Sequence, residues 1–242
     1  RPYRIVGRVG EKVSARYRVA LVDFDEDLFA PQGWEQEMLA GVGAEWVVGQ
    51  NRTAETVLSA SRDADVVMIQ SVRRLLTRET IEKLDRCRGI IRVGIGYDSV
   101  DQEACTERGI ALCNVPEYCV HEVADHALAL LMGAVRHLAR QDRWIREGRW
   151  DRLGAKPARR LFGQSLGLVG FGRVARALVE KVKGMEFKLL AFDPFIAKET
   201  MRRYGVERVS LEELVGRSDL ISVHAPLTPQ THHLLGEREF GL

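Results

Sequence analysis

The chain has 242 residues, of which 45% are hydrophobic, and a formal net charge of +2 with acidic and basic residues interspersed. This length suits two modest domains or one large one, and the balanced charge argues against a nucleic acid or an anionic membrane as partner. No apolar run is long enough to span a bilayer, and the cysteines show neither C-x-x-C nor disulfide-like spacing. We therefore expect a cytoplasmic protein with reduced thiols.

In the first half of the chain, short apolar runs alternate with amphipathic segments. Residues 1–17 are basic without a clear period and are expected to form an arm or an edge strand. The predicted strands are 19–22, 45–48, 65–69, 90–93 and 110–113, and the predicted helices are 32–40, 53–60, 78–84 and 102–107, with Thr77 and Asp101 as N-caps of the last two. This order predicts an α/β domain with a parallel, doubly wound sheet of the flavodoxin-like type.

The sequence Asn-Val-Pro at 114–116 breaks this rhythm and predicts a hinge. We assign residues 1–115 to a substrate-binding domain and residues 116–242 to a second domain. One long helix is predicted over 120–146, with an apolar stripe that packs on the second domain and with His137 as a solvated helix residue. The basic loop that follows holds Trp150, which we expect to be an anchor.

The stretch 165–194 has the order strand, glycine turn, helix, strand and acid. Gly170-Phe171-Gly172 and the residues up to Ala175 give the pattern G-x-G-x-x-A between a strand at 165–169 and a helix at 173–183, and a second strand at 187–192 ends at Asp193. The glycines allow a tight turn and a close approach of backbone to a pyrophosphate, which the helix N-terminus attracts. Asp193 can accept both ribose hydroxyls of NAD and would repel the 2′-phosphate of NADP. A glycine-rich turn of any α/β domain is the alternative, but the complete order favours NAD binding.

Beyond Asp193, helices are predicted at 198–204 and 211–215, and a strand at 220–223. This leaves a Rossmann-type sheet that we expect to be incomplete, since such domains usually have six strands. His224, at the end of that strand, has either a ligand contact or a structural role. His121 and His126 are five residues apart and would face different directions on a helix, so no metal site is predicted.

A second glycine turn, Gly94-Ile95-Gly96, follows the strand at 90–93. It lacks a small third residue and an acid-tipped second strand, so we interpret it as a turn at the carboxyl edge of the first sheet. Its N–H groups could hold a small carboxylate, and a plain structural turn is an equal alternative. Arg73 or Arg74, at the same edge, could meet an anionic substrate, although a solvated charge is the favoured interpretation.

Three stretches together resemble the D-isomer-specific 2-hydroxyacid dehydrogenases: the segment from Ile91 through the hinge helix, the segment 166–194, and SDLISVHAPLTPQTHHLLG from Ser218. Within that family the chain is similar to the branch related to C-terminal-binding proteins, for example in CNVPEYCVHEVAD. The resemblance implies reversible hydride transfer between NAD and a small D-2-hydroxy acid or its 2-keto form. It assigns Gly94, Ile95 and Gly96 to the substrate carboxylate. It assigns to the cofactor Val169, Gly170, Phe171, Gly172, Arg173, Val174, Asp193, Ala225, Pro226, Leu227 and Thr231.

The resemblance also implies a catalytic arginine, glutamate and histidine, which in the family follow the last of these segments. We expect them beyond Leu242, so that this chain is a truncated and inactive part of an enzyme that is a homodimer when intact. Two alternatives stay open, an NAD-binding co-repressor or scaffold of the C-terminal-binding-protein type, and a truncated pseudo-enzyme that binds only adenine nucleotide. Turnover of glyoxylate, hydroxypyruvate or pyruvate by the complete product would separate the enzyme from both.

Overall fold

The computed structural model describes residues 16–25, 30–151 and 159–242. The chain divides into two compact units, Arg1–Tyr118 and Cys119–Leu242. The hinge predicted at 114–116 lies next to this division, and the roles assigned to the two domains stay predictions. The arm or edge strand predicted for residues 1–17 falls almost entirely outside the described residues.

The first unit is built on one parallel sheet. Its strands are β1 (Tyr17–Asp23), β2 (Ala44–Val48), β3 (Val66–Ile69), β4 (Gly89–Arg92) and β5 (Ala111–Asn114). They lie in the order β2-β1-β3-β4-β5, and every pairing is parallel. This is the flavodoxin-like order, with its switch point between β1 and β3. The predicted fold class of this domain is therefore confirmed.

In the described part of this unit, four helices cover the sheet: α1 (Trp34–Gly41), α2 (Ala54–Ser61), α3 (Arg78–Glu82) and α4 (Gln102–Glu107). The predicted caps differ in outcome. Asp101 caps α4 by accepting the Ala104 N–H. Thr77 holds the N-cap position of α3, but its hydroxyl lies 3.3 Å from the Thr80 hydroxyl and caps no backbone N–H. The cap prediction is thus right for Asp101 and wrong in mechanism for Thr77.

The second unit has a smaller parallel sheet. Its strands are β6 (Ser165–Val169), β7 (Lys188–Phe192), β8 (Glu207–Arg208) and β9 (Leu220–Val223). They lie in the order β8-β7-β6-β9, all parallel. In chain order this is 3-2-1-4, which matches the first four strands of the Rossmann order 3-2-1-4-5-6. The carboxyl ends of β6 and β9 thus lie side by side, where a switch point places ligands.

The residues of the second unit that the structure describes form six helices. They are α5 (Val120–Val135), α6 (Leu138–Arg146), α7 (Arg173–Val182), α8 (Lys198–Arg203), α9 (Leu211–Arg217) and α10 (Glu237–Phe240), and a single 3-10 turn, Lys183–Met185, follows α7. Helices α5 and α7 pack together, and Ala124, Leu131, Leu178 and Val182 share one buried cluster. No helix in the described ranges combines the length and apolar character needed to cross a membrane.

Two expectations for the region after the hinge are wrong. The predicted helix 120–146 is two helices, because His137 adopts a left-handed backbone with φ 53° between α5 and α6. A non-glycine residue in that region ends a right-handed helix. Trp150 is 86% exposed and anchors nothing in the part of the chain that the structure describes.

Candidate functional site

The glycine turn of the second unit begins where β6 ends. Gly170 has φ 90°, and a Cβ there would lie 2.8 Å from the Ala225 N and 2.9 Å from the His224 carbonyl carbon. Both neighbours are backbone atoms of the segment after β9, so they cannot turn aside as a side chain could. The turn therefore needs glycine for its conformation and for the close passage of the neighbouring chain.

Gly172 occupies a different environment. It is the N-cap of α7, with φ −75°, and a Cβ built on it would meet no protein atom within 4 Å. The first N–H with an intrahelical acceptor is that of Arg176, which donates to the Gly172 carbonyl oxygen at 3.1 Å. The start of α7 therefore presents N–H groups and the positive end of its dipole to open space, as binding of a pyrophosphate requires.

Asp193 stands directly after β7 and closes the turn from the other side. Its Oδ2 accepts the Phe171 N–H at 2.8 Å, and its Oδ1 accepts the N–H groups of Phe195 and Ile196 at 2.9 and 3.2 Å. The carboxylate is half-buried. It is thus held in one orientation by three backbone donors, and Oδ2, which accepts only one of them, can still accept a further hydrogen bond.

The other predicted fingerprint residues contribute mainly to the fold. Val169 and Phe171 are fully buried, and the Phe171 ring meets the Tyr204 ring edge-on at 5.7 Å between centroids. Because the Phe171 N–H is already donated to Asp193, it is not open to a phosphate. Arg173 and Val174 form the first turn of α7, where their backbone lies at the helix N-terminus.

The segment after β9 lies against this turn and encloses a cavity of about 270 Å³. Thr231 fixes its shape, since its hydroxyl donates to the Pro226 carbonyl oxygen at 2.5 Å and accepts the Thr228 N–H at 2.8 Å. The cavity is lined by Val223, Ala225, Pro226, Leu227, Thr231, His233, Leu234 and Leu235. The four predicted residues of this segment are therefore brought together around one mostly apolar space.

His224 has a role that the sequence left open. Its Nε2 lies 2.9 Å from the Ser222 hydroxyl, a contact that sequence analysis missed although the two residues share one face of β9. Burial of the ring lowers the pKa of His224 below its ordinary value. The neutral imidazole is therefore the form that the fold holds at neutral pH.

In the first unit, the loop Gly94–Gly96 follows β4 and is held by its carbonyl groups. The Gly94 oxygen accepts the Val115 N–H at 3.0 Å, and the Ile95 oxygen accepts the Asn114 side-chain amide at 2.8 Å. The Gly94 N–H donates to the Arg92 carbonyl oxygen at 2.9 Å. Among the described residues no acceptor meets the N–H groups of Ile95 and Gly96, so two of the three predicted donors are open to a carboxylate.

Arg92 is a residue that sequence analysis missed beside this loop. Its Nη1 donates to the Val93 carbonyl oxygen at 2.6 Å, and the guanidinium fills the space that a Cβ on Gly94 would need. The sequence pattern gives no sign of this packing, and an alanine at position 94 would fit only if the flexible Arg92 side chain moved aside.

Comparison with known proteins agrees with this geometry. Residues 128–242 match the family model described as D-isomer specific 2-hydroxyacid dehydrogenase, NAD binding domain. D-3-phosphoglycerate dehydrogenase of Methanocaldococcus jannaschii is 36% identical over 81% of this chain and 37% of its own length. Residues 128–242 belong to the D-isomer-specific 2-hydroxyacid dehydrogenase family. The predicted NAD-binding domain and its cofactor are therefore confirmed, and the assignment of the glycine turn and Asp193 to that cofactor stays a prediction.

The chain is also similar to a glyoxylate reductase and to a D-lactate dehydrogenase. Glyoxylate reductase of Korarchaeum cryptofilum is 33% identical over 76% of this chain and 56% of its own length. The structure of D-lactate dehydrogenase from Escherichia coli is 28% identical, with a TM-score of 0.69 over 93% of this chain and 70% of that one. The chain thus spans little more than a third of the phosphoglycerate dehydrogenase named above and just over half of the glyoxylate reductase. The narrower likeness to C-terminal-binding proteins stays a prediction.

Proposed function

We propose that the protein to which these residues belong interconverts a small D-2-hydroxy acid and its 2-keto acid, with NAD as the hydride carrier. The observation that carries this proposal is the pairing of open space at Gly172 with a fixed carboxylate at Asp193. The first suits a pyrophosphate on the start of α7, and the second suits the ribose hydroxyls. NAD supplies the hydride acceptor, and its neutral 2′-hydroxyl can donate a hydrogen bond to the Asp193 carboxylate.

The residues of this chain are proposed to bind and to orient. Gly172, Arg173 and Val174 offer backbone N–H groups to the pyrophosphate, and Asp193 accepts from the ribose. Ala225, Pro226, Leu227 and Thr231 line the adenine side. Gly170 takes part by shaping the turn, and Val169 and Phe171 by supporting it from the core.

The substrate carboxylate is proposed to lie on the loop Gly94–Gly96. The N–H groups of Ile95 and Gly96 have no acceptor among the described residues, which supports this proposal. Proton transfer and polarisation of the carbonyl are left to the arginine, glutamate and histidine that the resemblance implies. Inactivity of the 242-residue chain on its own, and a homodimer for the intact protein, stay predictions.

Two measurements test this function. Titration of the chain with NADH, followed by nucleotide fluorescence, should give a saturable signal, which Asp193→Ala weakens strongly. The complete gene product should reduce glyoxylate, hydroxypyruvate or pyruvate with NADH. Saturable NADH binding without turnover of any acid would support the co-repressor alternative, but the relatives described above are dehydrogenases and a reductase, which favours the enzyme.

A further inference from the structure

The short strand β8 brings a positive charge to the acid at the end of β7. Arg208, the second residue of β8, pairs in register with Ala191, two residues before Asp193. Its side chain is exposed, and its Nη2 donates to the main-chain oxygens of Asp193 and Pro194 at 3.4 and 3.5 Å. The guanidinium therefore lies at the residue that is proposed to accept from the adenosine ribose.

Among the described residues, no carboxylate neutralises the charge of Arg208. Both of its acceptors are carbonyl oxygens, and the carboxylate of Asp193 is engaged by three backbone N–H groups instead. The neighbouring acid, Glu207, is paired through both of its oxygens with Arg217, at 2.9 and 2.8 Å. Because a guanidinium has five N–H donors and only Nη2 is engaged here, Arg208 keeps donors and charge for an anion.

NAD and NADP differ only at the 2′-oxygen of the adenosine ribose, which carries a hydrogen in one and a phosphate in the other. In dinucleotide-binding domains, an acid after the second strand suits the hydroxyl, and a nearby arginine suits the phosphate. This chain has both, in Asp193 and Arg208. The acid alone would repel a 2′-phosphate, but the guanidinium beside it offsets that repulsion, because arginine and phosphate form charge-assisted and often bidentate hydrogen bonds.

We propose that Arg208 makes the cofactor site accept NADPH as well as NADH, by pairing its guanidinium with the 2′-phosphate beside Asp193. This inference rests on the proposed function, which places the adenosine ribose at Asp193. It goes further because it names the residue that sets the cofactor selectivity. With Arg208 the site takes both nucleotides, and without it the site takes NADH alone.

A purely structural role for Arg208 is the alternative, since its bonds to the Asp193 and Pro194 carbonyl oxygens also brace the turn after β7. The two roles differ in their consequences. A brace that positions Asp193 matters equally for NADH and NADPH, because both nucleotides place a ribose there. A partner for the 2′-phosphate matters for NADPH alone.

Fluorescence titration of the chain with NADH and with NADPH tests the inference. The fluorescent nicotinamide is the same in both, so any difference in affinity reports the 2′-phosphate. We expect both to bind saturably, with dissociation constants that agree within about tenfold. Saturable binding of NADH without saturable binding of NADPH would overturn this inference and leave the proposed function intact. Absence of binding for both nucleotides would overturn the two together.

Variants separate the two roles of Arg208. Arg208→Gln keeps an N–H donor for the carbonyl oxygens but removes the charge. It should weaken NADPH at least about tenfold and change NADH affinity by less than about twofold, and Arg208→Lys should restore most of the NADPH affinity. Arg202→Gln is the matched control, because it removes an exposed positive charge of α8 that pairs with Glu199, and both nucleotides should bind it normally. Equal weakening of NADH and NADPH by Arg208→Gln would show a brace only, and unchanged NADPH affinity would show no role in binding, so either result refutes the inference.

Discussion

Alanine at Gly170 and alanine at Gly172 should have opposite consequences, although the two glycines belong to one motif. At Gly170 the side chain would adopt φ 90° and press on backbone atoms at 2.8 and 2.9 Å. The left-handed conformation costs about 1–2 kcal/mol, and overpacking of this kind about 1–3 kcal/mol. We expect the free energy of unfolding to fall by about 2–5 kcal/mol, a large part of the stability of an ordinary domain.

Gly172→Ala should leave the fold almost unchanged. Its φ of −75° is open to any residue, and the new Cβ would meet no protein atom. Alanine is a poorer N-cap than glycine, so we expect a loss within about 1 kcal/mol. The space that the Cβ enters is the space proposed for the pyrophosphate. NADH affinity should therefore fall at least about a hundredfold, equivalent to about 3 kcal/mol, because the new methyl group would clash with the bound pyrophosphate and not with protein atoms.

Urea denaturation and NADH fluorescence titration on the same preparations separate the two effects. Gly216→Ala is the matched control, since Gly216 lies in α9 with no atom within 4 Å of its would-be Cβ. It should be as stable as the unchanged chain or slightly more so, with unchanged NADH affinity. The reasoning is refuted if Gly172→Ala binds NADH normally, or if Gly170→Ala is as stable as the unchanged chain.

Three further outcomes are expected. Asp193→Ala should weaken NADH binding about a hundredfold, because a hydrogen bond from a ribose hydroxyl to a charged acceptor is lost. It should also lower stability in urea, since three N–H groups lose their partner. Normal NADH affinity would contradict this role of Asp193. Burial lowers the pKa of His224 below 6.5, so as pH drops the imidazole is protonated in the unfolded chain before it is protonated in the folded one, and stability should fall below about pH 6.5. His224→Gln should reduce that loss of stability, measured by urea titrations at pH 7 and pH 5. An identical loss in the variant would count against this role of His224. Desolvation raises the pKa of Cys105 to about 11, and its thiol is buried whereas Cys113 is exposed. A thiol reagent at pH 7 should therefore label Cys113 first and Cys105 only in denaturant, and peptide mapping would show which cysteine is labelled.

The regular part of the fold could be predicted because its signals are local. Apolar runs of strand length alternate with amphipathic segments, and the sequence 165–194 contains its strand, turn, helix and acid within one stretch. β6, β9 and α4 have the predicted bounds, and the other predicted elements, apart from the helix 120–146, differ by a residue or two at their ends. The glycine motif could be predicted from the sequence for the same reason, because the features that define it are close together in the chain.

The predictions are wrong or incomplete where the structure is determined by distant contacts or by a single backbone dihedral angle. The period of α5 continues past residue 137, so nothing in the pattern marks the left-handed His137 that ends it. β8 consists of two exposed charged residues, Glu207–Arg208, and exists because β7 offers it an edge to pair with. The buried oxygen of Asp23 gives no sequence signal, because its surroundings are loops that meet only in the folded unit. The guanidinium of Arg92 lies over Gly94 through a side-chain conformation that no sequence pattern specifies.

Asp193 both stabilises the fold of the proposed cofactor site and is the acceptor proposed for the ribose. A carboxylate that only awaited a ribose would be free to turn, and part of the binding energy would be used to order it. Here the Phe171 N–H fixes one oxygen to the glycine turn, and the Phe195 and Ile196 N–H groups fix the other. The acid is thus set at the end of β7 before any nucleotide arrives, and the turn that would receive the pyrophosphate is held by the same side chain. The positions proposed for the sugar and for the phosphates are therefore coupled through one residue, so loss of the acid should disturb both.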